Sequence, residues 1–123
     1  MFPRTAPISA LQTTPSRCNY RELARGTSIP TTSLLNAAPA GMYRVFGYVA
    51  TQTPGAGNVT ITVGFTDSIG AKTAAFLAPL SFNAGEYSSS DKIIEVAKGD
   101  ITFSTTYAAS GKYNIFVALE RLI

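Results

Sequence analysis

Residues 57–66 read GNVTITVGFT and decide the fold of this chain. Large apolar side chains at every second position alternate with threonine and glycine, which is the period of a β-strand that buries one face. Turn-forming sequences lie on both sides, TPGAGN at residues 53–58 and DSIG at residues 67–70. We therefore predict that this segment is a strand, paired in a hairpin with the strand before it.

The same period recurs along the rest of the chain after residue 41. Turns separate six predicted strands, at the spacing typical of a sandwich or a barrel. The segments cover residues 42–49, 59–66, 72–80, 92–98, 101–107 and 113–123. Residues 31–35 add a candidate seventh strand. The sequence predicts an all-β fold over residues 42–123, an antiparallel, jelly-roll-like β-sandwich of about six to eight strands.

The first 41 residues differ from this block in charge and in proline content. Four arginines against one glutamate give them a net charge of +3, whereas six basic and six acidic residues cancel over residues 42–123. Prolines at positions 3, 7, 15, 30 and 39 oppose a sustained helix. Residues 1–41 are therefore predicted to form an extended basic arm that precedes the sandwich. A short helix is an alternative for residues 16–25, since Gly26 follows them as a stop.

Several predicted strands carry bulky apolar groups on both faces. In a solvated sandwich the outer face of each strand is mostly polar, so aromatic side chains on that face indicate a contact surface. The candidate oligomer-interface residues are Phe46, Tyr48, Phe76, Phe116 and Leu122. Two elements could bury these outer-face side chains. One is a neighbouring subunit in a homotrimer or larger ring, which we favour, and the other is the arm of the same chain.

The residue content argues against catalysis. The chain has no histidine, which removes the usual general base and the commonest metal ligand. Its carboxylates are scattered over turns and strand ends, without the pairing of a two-carboxylate site. We expect no enzyme activity, no small-molecule substrate, no cofactor and no metal site. Cys18 is the single cysteine, so no intramolecular disulfide is predicted.

Two further classes of partner are also not expected. The strand block carries no net charge, which argues against direct nucleic-acid binding. No apolar stretch approaches the length of a membrane span, and the first residues lack the pattern of a secretory signal. We expect synthesis in the cytoplasm and no membrane association.

Three segments of the strand block, residues 57–67, 100–107 and 113–121, resemble the small virion proteins of tailed bacteriophages. These include capsid decoration (cement) proteins and tail-associated β-sandwich modules. The resemblance implies a non-enzymatic structural protein that oligomerises on the outer capsid surface and bridges neighbouring major capsid subunits. The alternative is a tail-fibre or receptor-binding module, in which loops 67–72 and 81–91 contact host glycans and Tyr87 is the candidate aromatic residue.

The arm is the predicted contact with the capsid or with a sister subunit. An extended segment binds by ordering along a partner surface, and arginine forms bidentate contacts with carboxylates or phosphates. The candidate contact residues combine arginines with apolar anchors and are Arg4, Ile8, Leu11, Arg17, Tyr20, Arg21, Leu23 and Arg25.

Overall fold

The computed structural model describes residues 17–123. Within these residues the chain forms eight β-strands and no helix. The strands are β1 Arg17–Arg25, β2 Thr32–Leu35, β3 Gly41–Thr53, β4 Gly57–Thr66, β5 Ala71–Ala75, β6 Tyr87–Val96, β7 Lys98–Ala109 and β8 Lys112–Arg121.

The strands form two antiparallel sheets that pack face to face. The first sheet has the order β1-β8-β3-β6 and the second the order β2-β7-β4-β5. Most consecutive strands lie in opposite sheets, which is the arrangement of an eight-stranded jelly roll built from two Greek keys. The prediction of an all-β antiparallel sandwich is confirmed.

The predicted hairpin of β3 with β4 is wrong. β3 pairs with β6 and β8, whereas β4 pairs with β5 and β7. Both strands present apolar rows to the same core, so the turn between them carries the chain from one sheet to the other. The turn-forming residues 53–58 suit either a hairpin within one sheet or a connection between the two sheets. Because the apolar rows of both strands are buried in the same core, the chain makes the connection between sheets.

The core fills the space between the two sheets. Each long strand buries every second side chain and leaves the alternate ones outside, as period two requires. The first sheet contributes Tyr43, Val45, Val49, Tyr113, Ile115, Val117 and Leu119, and the second contributes Val59, Ile61, Val63, Ile101 and Phe103. Opposed apolar rows of this kind are the main stabilising contribution of a β-sandwich.

Among the described residues of the predicted arm, Arg17–Arg25 and Thr32–Leu35 belong to the sheets. β1 pairs with β8 and β2 pairs with β7, so the candidate strand over residues 31–35 is present as Thr32–Leu35. The alternative helix over residues 16–25 is wrong, because sheet pairing with β8 overrides local helix propensity. The Ile29 N–H donates to Thr105 Oγ1 over 2.7 Å, which ties the connection between β1 and β2 to β7. Residues 1–16, the rest of the predicted arm, lie outside the described residues.

Two other boundaries differ from the prediction. The strand expected over residues 72–80 ends at Ala75, and the next two residues turn into the core. The loop expected over residues 81–90 is shorter, because its last four residues, 87–90, begin β6, in which Ser88 pairs with Val49 and Ser90 with Gly47. Serine has weak strand propensity, so pairing with the long strand β3 determines the structure here.

Candidate functional site

The outer face of the first sheet carries the largest group of functional side chains. Because β3 and β8 bury one row each, their alternate residues point to the other side of the sheet. The register pairs Tyr48 with Phe116 and Arg44 with Glu120 across these strands. The face therefore has an aromatic end and a charged end.

At the aromatic end, the Tyr48 ring contacts two other aromatic rings at the protein surface. Tyr48 is 39% exposed and stacks on Tyr87, which is 62% exposed, with ring centroids 5.5 Å apart and planes 18° from parallel. Tyr48 also meets Phe116 edge to face at 6.1 Å. The Arg21 guanidinium lies 5.2 Å from the centre of the Phe116 ring, within the range of a cation–π contact. This cluster holds the ring faces in fixed positions.

At the charged end, Arg44 lies between two carboxylates. Its Nη1 is 3.2 Å from Glu120 Oε1, and its Nε is 3.6 Å from Asp91 Oδ2. The Nε atom is buried and interacts with Asp91 as an ion pair without a hydrogen bond. The Arg44 side chain as a whole is 39% exposed, so part of it is accessible to an incoming polar group.

Between these ends lies a groove of about 670 Å³, which we call the outer groove. Its floor is formed by β3 and β8 and its sides by β1 and β6. The residues that line it include Asn19, Arg21, Arg44, Phe46, Tyr48, Ser89, Asp91, Phe116 and Ala118. Its volume lies within the range of small-ligand sites, about 300–1,000 Å³.

Four of the five predicted interface residues lie at the surface of the first sheet. Phe46, Tyr48 and Phe116 point outward, and Leu122 follows β8, where its N–H donates to the Met42 carbonyl over 2.8 Å. They are thus available for the predicted subunit contact, which stays a prediction.

Phe76, the fifth, is placed differently. It is 8% exposed and belongs to the core. The chain turns inward after β5, and a Cβ at Gly47 would lie 3.1 Å from Phe76 Cζ. Glycine at position 47 thus leaves the space that the Phe76 ring fills, and the outward placement predicted for this ring is wrong.

Three of the predicted contact residues of the arm, Arg4, Ile8 and Leu11, lie outside the described residues. The other five lie on β1, which begins with Arg17. Arg21 and Leu23 are exposed, whereas Tyr20 packs on Phe103 and Arg25 bonds to Glu22.

A cluster of polar side chains on β1 has perturbed acidity. The Tyr20 hydroxyl donates to Glu22 Oε1, and Arg25 Nη1 lies 3.1 Å from Glu22 Oε2. Burial, followed by the bond to the Glu22 carboxylate, raises the pKa of Tyr20 to about 12. The bond from Tyr20, helped by Arg25, lowers the pKa of Glu22 in spite of its partial burial. The cluster thus favours a neutral phenol and an ionised carboxylate.

This cluster predicts a pH dependence in alkali. A phenol with a raised pKa stabilises the fold fully below the ordinary tyrosine value of 10.0, and the contribution is lost as pH rises through about 12. We expect the tyrosinate absorbance titration of the wild type to contain a component at about 12 that is missing from Tyr20→Phe. Tyr87→Phe is the control, because it removes an exposed phenol on β6. Superposable titrations of the wild type and Tyr20→Phe above the ordinary tyrosine range would contradict the assignment.

Among residues 17–123, no three histidine, cysteine, aspartate or glutamate side chains are grouped so that they could hold a metal ion. No helix long and apolar enough to cross a membrane occurs in the same residues.

No protein-family model and no curated protein matches the sequence. Solved structures do resemble the fold. TmCBM61, in complex with β-1,4-galactotriose, superposes with a TM-score of 0.51 at 20% identity, covering 85% of this chain and 69% of that chain. A chain of the infectious bursal disease virus Gx strain gives a TM-score of 0.49 at 14% identity, with 84% of this chain covered.

The Clostridium thermocellum xylanase 10B CBM22-1–GH10 modules, complexed with xylohexaose, give a TM-score of 0.49 at 15% identity over 88% of this chain. The chain spans 26% of that xylanase chain and 32% of the viral chain. At 20% identity and a TM-score of 0.51, the superposition on TmCBM61 shows a shared β-sandwich fold.

Proposed function

We propose that this chain is a capsid decoration protein of a tailed bacteriophage, a non-enzymatic homo-oligomer on the outer head surface that bridges major capsid subunits. The observation that supports the oligomer is the exposure of apolar side chains on the strands of the first sheet and just after them. Ile93, opposite Arg44 on β6, is 55% exposed, and Ile123, which follows Leu122 after the end of β8, is 77% exposed. Large exposed apolar side chains of this kind are typical of contact surfaces.

The capsid contact is proposed for residues 1–16 together with β1. β1 is an edge strand of the first sheet, so the segment before it joins the sandwich at that edge. Arg4, Ile8 and Leu11, with Arg17, Arg21 and Leu23 of β1, supply positive charge and apolar anchors. A segment of this composition binds an acidic partner surface and orders as it does so. We favour a trimer, which is one of the closed cyclic arrangements that homo-oligomers adopt.

Light scattering on the purified protein tests the oligomer. We expect a stable assembly at micromolar concentration that Ile93→Ser dissociates, because a hydroxyl replaces apolar area at the contact. Ile69→Ser is the matched control, since Ile69 is 88% exposed in the turn before β5, which belongs to the second sheet. A monomeric wild type would contradict the homo-oligomer. Equal effects of the two variants would contradict the proposed contact.

Deletion of residues 2–16 tests the capsid contact. We expect the shortened protein to keep its thermal unfolding transition, because the sandwich begins at Arg17, and to lose binding to expanded capsids. Undiminished capsid binding by a folded deletion variant would remove these residues from the mechanism.

The second candidate is a tail-fibre or receptor-binding module that contacts host glycans. The exposed Tyr48–Tyr87 pair favours it, because a saccharide packs on ring faces of this kind. TmCBM61, which shares the fold, is a module in complex with a saccharide. Copy number in purified virions separates the two candidates. A number close to that of the major capsid protein supports decoration, and a few copies support the tail.

A further inference from the structure

We propose that the outer groove binds neutral oligosaccharides. The inference goes beyond the decoration function and deepens the second candidate, on whose glycan contact it rests, by naming the groove and the class of ligand. It depends on the ring faces at one end of the groove, the hydrogen-bonding groups at the other and the balance of charge between them.

The ring faces supply the apolar contact. Tyr48 and Phe116 line the groove and meet edge to face, and Tyr87 extends this aromatic surface by stacking on Tyr48 beside the groove. Aromatic side chains provide rigid contact area at low entropic cost, because each has two rotatable side-chain bonds. The C–H face of a pyranose ring buries apolar area against such a surface and gains dispersion contacts.

The charged end supplies directional contacts that suit hydroxyl groups. The Arg44 side chain is 39% exposed and carries N–H donors, and the Asp91 carboxylate, whose side chain is 63% exposed, is an acceptor beside it. A hydroxyl group both donates and accepts. Two adjacent sugar hydroxyls can therefore accept from Arg44 and donate to Asp91 at the same time.

The charge balance decides the class of ligand. Asp91 and Glu120 offset the charge of Arg44, and the one other cation among the described residues that line the groove, Arg21, lies over the Phe116 ring at the aromatic end. As formed by residues 17–123, the groove therefore offers no run of positive charge to a phosphate chain. A purely apolar segment would bury Arg44 and Asp91 without supplying hydrogen bonds, which is unfavourable. A neutral ligand rich in hydroxyls meets both requirements.

The length of the groove points to more than one sugar ring. Arg44 and Tyr48 mark its two ends on β3 and are separated by four residues. At about 3.3 Å per residue the two ends lie about 13 Å apart, which exceeds the width of a single pyranose ring. An oligosaccharide can reach both ends, whereas a monosaccharide reaches one.

An array of neutral oligosaccharides, followed by calorimetry on the purified full-length chain, tests the inference. We expect saturable binding of at least one oligosaccharide that Tyr87→Ala weakens by about tenfold or more. Tyr87→Phe keeps the ring and should retain most of the affinity, and Asp91→Ala should weaken binding through the other end. Ile69→Ala, in the turn before β5, should bind as the wild type does. The Tyr87 side chain is exposed, so its variants are expected to fold, and circular dichroism checks this.

Three results would overturn the inference. One is an array without hits. The second is binding only to acidic polymers, with a steep dependence on salt. The third is a wild-type oligomer that Tyr48→Ala converts to a monomer, which would make a second copy of this chain the occupant of the groove. Capsid binding and virion copy number are measured separately, so failure here and failure of the decoration role are distinguishable.

Discussion

Phe103→Ala is expected to lower the free energy of unfolding by about 3–5 kcal/mol, a large part of the total stability of a domain of this size. Phe103 lies on β7 between its two neighbours in the second sheet, opposite Thr32 of β2 and Val63 of β4. Its ring is 1% exposed and lies 4.8 Å, centroid to centroid, from the Tyr20 ring of the first sheet. Truncation removes a contact between sheets and leaves a cavity at the centre of the core.

Urea unfolding followed by circular dichroism measures this loss. Thr106→Ala is the control, because Thr106 lies on the same strand and is exposed, and we expect it to cost less than about 1 kcal/mol. Phe103→Leu keeps most of the volume and should lie between the two. If Phe103→Ala and Thr106→Ala are equally stable, the Phe103 ring does not make the stabilising contact between the sheets that we assign to it.

The strands that the sequence predicted well are those whose own side chains carry the pattern. β4 and β8 alternate buried and outer residues over their whole length, so period two was sufficient to identify them. β1 has few apolar residues, and half of β6 is serine and charged residues, so their own patterns are weak. Both are edge strands of the first sheet and take their structure from pairing with β8 and β3. The alternation of apolar residues within one segment does not show which distant segment it pairs with.

The candidate site was predicted in part for the same reason. The outward placement of Phe46, Tyr48 and Phe116 followed from alternation within single strands. The groove requires, in addition, that Arg44 faces Glu120 across one strand pair and that Phe46 faces Asp91 across another. Those registers bring Asp91 beside Arg44 and Tyr87 beside Tyr48. Alternation within single strands places the aromatic residues on a common face, and the cross-strand register adds the polar groups beside them.

Gly57→Ala is expected to lower the free energy of unfolding by about 2–4 kcal/mol, through backbone strain and overpacking together. Gly57 is the first residue of β4 and has a φ of 96°, a backbone angle that residues other than glycine rarely adopt. A Cβ there would lie 2.0 Å from the Ala108 carbonyl oxygen and 2.6 Å from Ala109 Cα. These are backbone atoms of β7, so relief of the contact requires the pairing of β4 with β7 to shift.

Gly70→Ala is the matched control for this substitution. Gly70 lies in the turn between β4 and β5, and no atom lies within 4 Å of a Cβ placed on it. We expect its effect to stay within about 0.5 kcal/mol. Urea denaturation of the two variants should show a lower midpoint for Gly57→Ala with an unchanged slope, because the surface exposed on unfolding stays the same. If the two midpoints coincide, β4 accommodates a side chain at its first residue, and the close approach of β7 does not fix the conformation of that turn.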